Sequence, residues 1–247
     1  MSTEAMLVIL VAMVVGALVK GVAGTGLPTV AIPVMAGFIG VEEAVVVMAI
    51  PTVVTNSWLL WVHRAQARRA RHLPVMIAAG GGGVALGAWL LTSVRGDVLA
   101  LALAGLIGAY VGLSLTRPSF AFPIGVTRWA APPVGFLGGV MQGATGIAGP
   151  AIATFVHGFR LPPGAYVFSL AAQFQVFATF SVIAFMWFGL YTPERVRSSL
   201  IALVPIMLVL PVGVWLGRRL NRLWFDRFVL VVLTLMGIKL VVDALTG

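Results

Sequence analysis

The sequence predicts an all-α integral membrane protein made of two similar halves, each with a broken helical hairpin and three membrane spans. Hydrophobic residues make up 60% of the 247 residues, charged residues make up only 9%, and the mean hydropathy is +1.08. Soluble domains carry roughly a quarter charged residues. A spanning helix needs about 20 mostly apolar residues, so the chain has room for about seven to nine such helices and for no separate catalytic domain.

Several classes of function are excluded by composition and motifs. Residues 1–16 lack the basic start and the cleavage site of a secretory signal, so we interpret them as mature structure. The chain has no cysteine, which excludes disulfides and Cys-bound metal. Its sixteen Lys and Arg residues fall mostly in short breaks between apolar runs, which indicates membrane topology rather than nucleic-acid binding. With no nucleotide-binding loop or catalytic motif, we predict no enzymatic activity, no cofactor, no metal and no nucleic-acid partner.

Six apolar runs are predicted to be plain membrane spans. Each is long enough to cross a bilayer and ends at a short polar or basic connection. The strongest of these connections is the basic loop 63–72, which is typical of a cytoplasmic loop. The predicted spans are residues 44–62, 73–94, 98–115, 164–190, 198–217 and 228–245.

Two further apolar segments, 6–40 and 129–158, are too long for one straight crossing and are interrupted by glycine and proline at 21–28 and 143–150. A shift of 122 residues superimposes the two interruptions without a gap. The shift matches Gly16 with Gly138, Gly21 with Gly143, Gly24 with Gly146, Pro28 with Pro150 and Ala31 with Ala153. We therefore predict two internal repeats, residues 1–120 and 121–247.

Charge sets the predicted orientation of the repeats. Cytoplasmic loops are enriched in Lys and Arg, so we expect both the loop 63–72 and the arginines at 218, 219 and 222 to lie inside. This requires segment 129–158 to begin and end on one side as a re-entrant hairpin, with segment 6–40 as its partner from the opposite side. Each half then crosses the membrane three times, so the second half is inverted relative to the first. Both termini are then predicted to lie outside the plasma membrane. If both segments cross fully instead, the arginine cluster lies outside.

The two glycine-rich interruptions are the predicted binding elements. Backbone freed from helical pairing is tolerated at membrane depth only where protein buries it or a cavity receives it. Half-helices that begin at Pro28 and Pro150 would direct unpaired N–H groups and positive dipole ends toward an anion. The alternative is close helix packing, which is the role we predict for the glycines at 80–83 and for Gly87.

Polar groups near the interruptions are the candidate solute contacts. Lys20 is the charged residue beside the first interruption, and an ionisable group at membrane depth is a functional-site hypothesis by default. Its alternatives are snorkelling and pairing with helix-end carbonyls, and the alternative for the neutral groups is interhelical hydrogen bonding. Neutral donors with one lysine suit a small oxyanion better than a cation. The predicted site comprises Lys20, Gly21, Gly24, Thr25, Gly26, Asn56, Gln142, Gly143, Thr145, Gly146, Gln173 and Gln175.

The seven acidic residues all lie at or near predicted membrane boundaries. Proton coupling would therefore have to use Glu42 or Glu43 near a hairpin mouth, or the protonation of the solute itself. Lys239 and Asp243 are four residues apart on one predicted helix, and we expect them to form a structural ion pair.

The stretch 20–33, Lys-Gly-Val-Ala-Gly-Thr-Gly-Leu-Pro-Thr-Val-Ala-Ile-Pro, followed by Glu42-Glu43-Ala44, resembles the Gly-rich signature of the TauE/SafE sulfite exporter family, and 142–150 followed by 161–163 resembles its partner. The family usually carries more glycines where this chain has Leu27-Pro28. The resemblance implies a secondary transporter of small sulfur oxyanions, of the sulfite or sulfonate kind, that works by alternating access around a midplane site. An anion channel or uniporter with the same pore is the alternative, and homo-oligomerisation is left open.

Overall fold

The structure, a computed structural model, describes residues 2–23, 26–69, 73–116, 124–217, 219 and 222–246. Within these residues the chain is helical nearly throughout and contains no β-strand. Seven of the described helices are long and apolar enough to cross a membrane. The predicted fold class, an all-α integral membrane protein, is confirmed.

A described helix overlaps each of the six predicted plain spans, and a 3-10 helix, Arg64–Arg69, follows the first of them. The α-helices are α1 (Thr3–Ala23), α2 (Leu27–Ile39), α3 (Val41–Val62), α4 (Leu73–Ser93), α5 (Gly96–Thr116), α6 (Ile124–Thr145), α7 (Gly149–His157), α8 (Pro163–Trp187), α9 (Pro193–Gly217) and α10 (Arg222–Thr246).

Helix α1 differs from the predicted hairpin arm because it is itself long enough to span. Its 21 residues correspond to about 31 Å, roughly the thickness of the hydrocarbon core. The helix runs through Gly16 and Gly21 and ends only at Ala23, since these glycines pack against other helices instead of interrupting the chain. Helix α2, with 13 residues, reaches about 20 Å. By length, α1 fits the alternative of a full crossing, and the orientation of the termini stays a prediction.

The helix bounds follow the same 122-residue shift as the matched glycines. In each half of the chain a long helix is followed by a short helix and then by three long ones. The residues that end α1 and begin α2 and α3 have counterparts that end α6 and begin α7 and α8. The matched bounds are Ala23 with Thr145, Leu27 with Gly149 and Val41 with Pro163. This agreement supports the predicted internal repeat.

The chain forms two compact units, and each unit combines helices from both halves of the sequence. The first unit comprises Met1–Met48, Val94–Pro118 and Tyr191–Gly247, and the second comprises Ala49–Ser93 and Ser119–Leu190. In the first unit α1 packs against α2 and α9, and α10 packs against α5 and α2. In the second unit α4 packs against α6 and α8.

Glycines let α4 and α6 approach until their backbones touch. A Cβ atom at Gly83 or Gly87 would overlap the backbone of α6, and one at Gly80 would overlap the ring of Phe177. The predicted packing role is confirmed at these three positions, because small residues at membrane-helix interfaces permit such close contact. At Gly82, by contrast, an added Cβ would have no described neighbour within 4 Å.

Candidate solute-binding residues

Lys20 lies in the last turn of α1, which ends at Ala23. Its side chain is only 5% exposed, so protein covers it. Burial does not fit snorkelling to an interface, because snorkelling keeps the charged head in water. A cation in the last turn of a helix is favoured by the negative end of the helix dipole, which partly offsets the cost of burying it. Lys20 is therefore a buried ionisable group beside the first break.

The first break is explained by three consecutive residues. Gly26 has φ = 101°, a left-handed backbone conformation that glycine adopts without penalty. Leu27 then begins α2 with Pro28 in its first turn, where a missing N–H costs nothing. Two predicted site residues, Gly24 and Thr25, lie outside the described residues.

Gly21 and Gly143, predicted to contact solute, are packing residues in this structure. A Cβ at Gly21 would lie 2.6 Å from the Cα of Gly213 on α9, and a Cβ at Gly143 would lie 2.7 Å from the backbone N of Ala88 on α4. Leu210, whose carbonyl also borders Gly21, is related to Ala88 by the 122-residue shift. The matched glycines thus make matched contacts between helices, and their contact with a solute stays a prediction.

Three of the predicted site residues lie close together in the chain at the second break. Gln142, 6% exposed, lies in the last turn of α6, at the place that Lys20 has in α1. The hydroxyl of Thr145 donates to the carbonyl of Met141 at 2.8 Å and accepts from the N–H of Ile147 at 3.4 Å. Gly146 follows with φ = 68°. The second break therefore has a glutamine amide where the first has a lysine.

The remaining predicted residues lie on α3 and α8 of the second unit. Asn56 is 3% exposed and Gln173 is fully buried. The amide nitrogen Nε2 of Gln173 donates to the carbonyl of Met76 on α4 at 3.4 Å, which is the interhelical hydrogen bond expected under the packing alternative. The oxygen Oε1 of Gln175 is buried and has no hydrogen-bond partner among the described residues.

Sequence reasoning missed two groups of polar residues. Ser169 and Ser181 are buried on α8, on the same face as Gln173, and only their spacing of four and eight residues from that glutamine could have indicated them. Arg195 at the start of α9 binds Glu43 at 2.7 Å and Glu42 at 2.8 Å. No local pattern connects this arginine to carboxylates about 150 residues earlier in the chain.

A half-buried tyrosine, Tyr191, lies just before α9. The hydroxyl of Tyr191 donates to the carbonyl of Val46 at 3.2 Å. Burial raises the pKa of Tyr191, so the hydroxyl keeps its proton and remains a donor.

The predicted ion pair of Lys239 with Asp243 is confirmed at 2.7 Å, and the Lys239 amine also lies 5.1 Å from the ring centre of Phe38.

Comparison with known families decides the class of the protein. The family model for the sulfite exporter TauE/SafE matches residues 8–240, which include both breaks and part or all of every described helix. The chain belongs to the TauE/SafE family. No curated protein and no solved structure matched the chain in the corresponding searches. As a TauE/SafE protein with seven described helices of spanning length, it is a multi-pass membrane transporter.

Proposed function

We propose that this TauE/SafE transporter carries a small sulfur oxyanion of the sulfite or sulfonate kind, and that Lys20 supplies the positive charge that binds it. The observation that carries the proposal is the burial of Lys20 in the last turn of α1 beside a glycine break. An ionisable side chain at membrane depth is a functional-site hypothesis by default.

The surroundings of Lys20 on its own hairpin favour an anion over a cation. Within the described residues of α1 and α2 the acidic residue is Glu4, which lies about 24 Å away along the helix. The first turn of α2 follows Gly26 and presents the positive end of a helix dipole. A cation would instead call for carboxylates or rings of carbonyl groups.

At the second break we propose that the amide of Gln142 donates neutral hydrogen bonds to the oxyanion, which adds no charge. Thr145 would join it only by turning its hydroxyl proton away from the carbonyl of Met141. One full charge would then hold the solute and still permit release. The other proposed contacts are Gly21, Gly24, Thr25, Gly26, Asn56, Gly143, Gly146, Gln173 and Gln175.

Alternating access by two inverted repeats is the proposed mechanism. It is supported by the helix order, which occurs twice, and by the chain breaks, which transporters of this type use at their binding sites. Uphill accumulation of sulfite in proteoliposomes would establish it, whereas flux that only dissipates a gradient would indicate a channel or uniporter. Reporter tags on both ends of the chain should map outside the plasma membrane, and a cytoplasmic end would contradict the proposed inversion.

The central test compares the purified wild type with Lys20→Met, which keeps the apolar stem and removes the charge. Sulfite, sulfate, thiosulfate, sulfonates and carboxylates are tested by the thermal stabilisation that a bound ligand produces. Loss of a charge-assisted hydrogen bond should weaken binding by about 1.5 to 3 kcal/mol, roughly ten- to a hundredfold. Lys239→Met removes a lysine that pairs with Asp243 and is the matched control. Unchanged affinity in a folded Lys20→Met protein would refute the role of Lys20.

A further inference from the structure

One buried face of α8 carries polar atoms that have no hydrogen-bond partner among the described residues. Ser169, Gln173, Phe177 and Ser181 are spaced by four residues and therefore share a face of the helix. Each of them is at most 1% exposed. Three polar side chains thus lie in a buried row along a membrane-spanning helix.

The two serines behave differently from other hydroxyl residues of the described spans. Thr55, Thr179 and Ser199 each donate to the carbonyl four residues earlier, at 2.8–2.9 Å. The hydroxyls of Ser169 and Ser181 have no hydrogen-bond partner among the described residues. A buried hydroxyl without a partner is destabilising, because it has given up its hydrogen bonds to water. A bound molecule that supplies the missing hydrogen bonds would remove this cost.

Gln173 adds an acceptor whose direction is fixed. The carbonyl of Met76 can only accept, so the amide nitrogen Nε2 of Gln173 must face it, and the 3.4 Å contact is consistent with this. The oxygen Oε1 then points to the other side, and it has no hydrogen-bond partner among the described residues. An amide oxygen accepts hydrogen bonds and cannot donate them. Its missing partner must therefore carry an N–H or O–H group.

We propose that Ser169 and Gln173 bind a small oxyanion in a form that carries one O–H group. Gln173 Oε1 accepts a hydrogen bond from the O–H of the solute, and the hydroxyl of Ser169, one helical turn earlier, donates to an unprotonated oxygen of the same solute. This rests on the proposed transport of sulfur oxyanions and specifies the protonation state that is bound. A fully deprotonated oxyanion has no proton to offer and would leave Oε1 unsatisfied.

The inference also supplies a route for proton movement. The sequence has all its acidic residues at or near predicted membrane boundaries, so we do not expect carboxylates to relay protons through the spans. A solute that is bound as its hydrogen anion carries its proton with it. Phe177 lies between Gln173 and Ser181 in the sequence of α8, and its buried ring packs over Gly80 on α4.

The described ionisable groups on the elements around α8 are few. Helix α4 has none, and neither do the described side chains of α6, which are those of residues 129–145. Helix α7 has His157, and the 3-10 helix has Arg64 and Arg68. His157 is exposed and meets the ring of Tyr166 on α8 edge-on, with centroids 6.1 Å apart. Histidine is the side chain whose charge ordinarily changes between about pH 5 and 8, so it needs its own control.

The experiment compares sulfite with methanesulfonate, an anion of a strong acid that stays deprotonated. Dissociation constants of the purified full chain are measured at about pH 6 and about pH 8. Sulfite should bind more tightly at the lower pH, where more of it is hydrogen sulfite, and methanesulfonate should bind equally at both. Ser169→Ala and Gln173→Met should each weaken sulfite binding at the lower pH about tenfold and flatten its pH dependence.

Three control variants separate the site from general effects. Ser199→Ala makes the same change at an equally buried serine whose hydroxyl is satisfied by its own helix, and sulfite affinity should not change. Ser181→Ala, beyond Phe177, should also leave affinity unchanged. An effect equal to that of Ser169→Ala would mean that α8 packing alone is responsible and would overturn the inference. His157→Gln should keep the pH dependence, and its loss would identify the histidine as the titrating group.

Two outcomes distinguish this inference from the proposed function. If sulfite binds with the same affinity at both pH values, the transporter still takes a sulfur oxyanion and only the inference is overturned. If neither anion binds, the proposed substrate class is wrong and the inference fails with it.

Discussion

At the first break a lysine occupies the last turn of the long helix, and at the second break a glutamine occupies the same place. Lys20 and Gln142 are 5% and 6% exposed, and the helices that carry them end at matched positions. Close beside them, Gly21 and Gly143 make matched helix contacts. The backbone arrangement is therefore shared, while charge belongs to one break alone. Helix packing is therefore common to the two repeats, whereas the side chains that recognise the solute can differ between them.

The largest expected effect tests the shared packing. Gly21→Ala and Gly143→Ala should each destabilise the folded protein by about 3 kcal/mol, because the new Cβ would lie 2.6 Å from a backbone atom of α9 in one case and 2.7 Å from one of α4 in the other. Thermal melting in detergent measures the loss. Gly82→Ala, with no described neighbour within 4 Å of its Cβ, should melt like wild type. A large loss at only one of the two glycines would show that the packing is not equivalent.

The next effect tests the unequal charge. Lys20→Gln gives both breaks an amide and should weaken sulfite binding by roughly ten- to a hundredfold, as loss of a charge-assisted hydrogen bond does. Titration of the purified Lys20→Gln variant with sulfite provides the measurement, and Lys239→Met, which removes a lysine paired with Asp243, is the control. Unchanged affinity in a folded Lys20→Gln protein would mean that the charge at the first break is not used in binding.

A smaller effect on stability, with a large effect on transport, is expected at Gly146. Its φ of 68° is unfavourable for a β-branched residue, so Gly146→Val should cost about 2 kcal/mol. The added side chain should also block close approach of solute to the backbone and abolish sulfite flux in proteoliposomes. Gly105→Val, at a position where an added Cβ meets open space, is the control. The repeat predicts the same result for Gly24→Val, and normal flux in both variants would make the breaks packing devices only.

These same residues show which structural features can be predicted from the sequence. Hydropathy located six spans, and glycine with proline located both breaks, because these signals are local. Hydropathy did not show that α1 continues through Gly16 and Gly21, since a glycine that breaks a helix and one that packs it look alike in sequence. Contacts such as Arg195 with Glu43 join distant parts of the chain and have no local signal. A serine in the sequence likewise does not reveal whether its hydroxyl donates to its own helix, as that of Ser199 does, or has no partner among the described residues, as for Ser169.

The smallest expected effect concerns the residue just before each short helix. Gly26 has φ = 101°, whereas Ala148, its match under the 122-residue shift, has φ = −111°, which any residue adopts. An added Cβ at Gly26 would meet Val19 Cγ1 at 3.5 Å, an ordinary contact, so the cost of Gly26→Ala is conformational and should be about 1 kcal/mol. Gly26→Asn should cost less, because asparagine tolerates left-handed backbone better than alanine. Melting temperatures of the two variants provide the measurement. If alanine is tolerated as well as glycine, the first break can adopt the backbone of the second, and the difference between the two repeats reduces to the charge of Lys20.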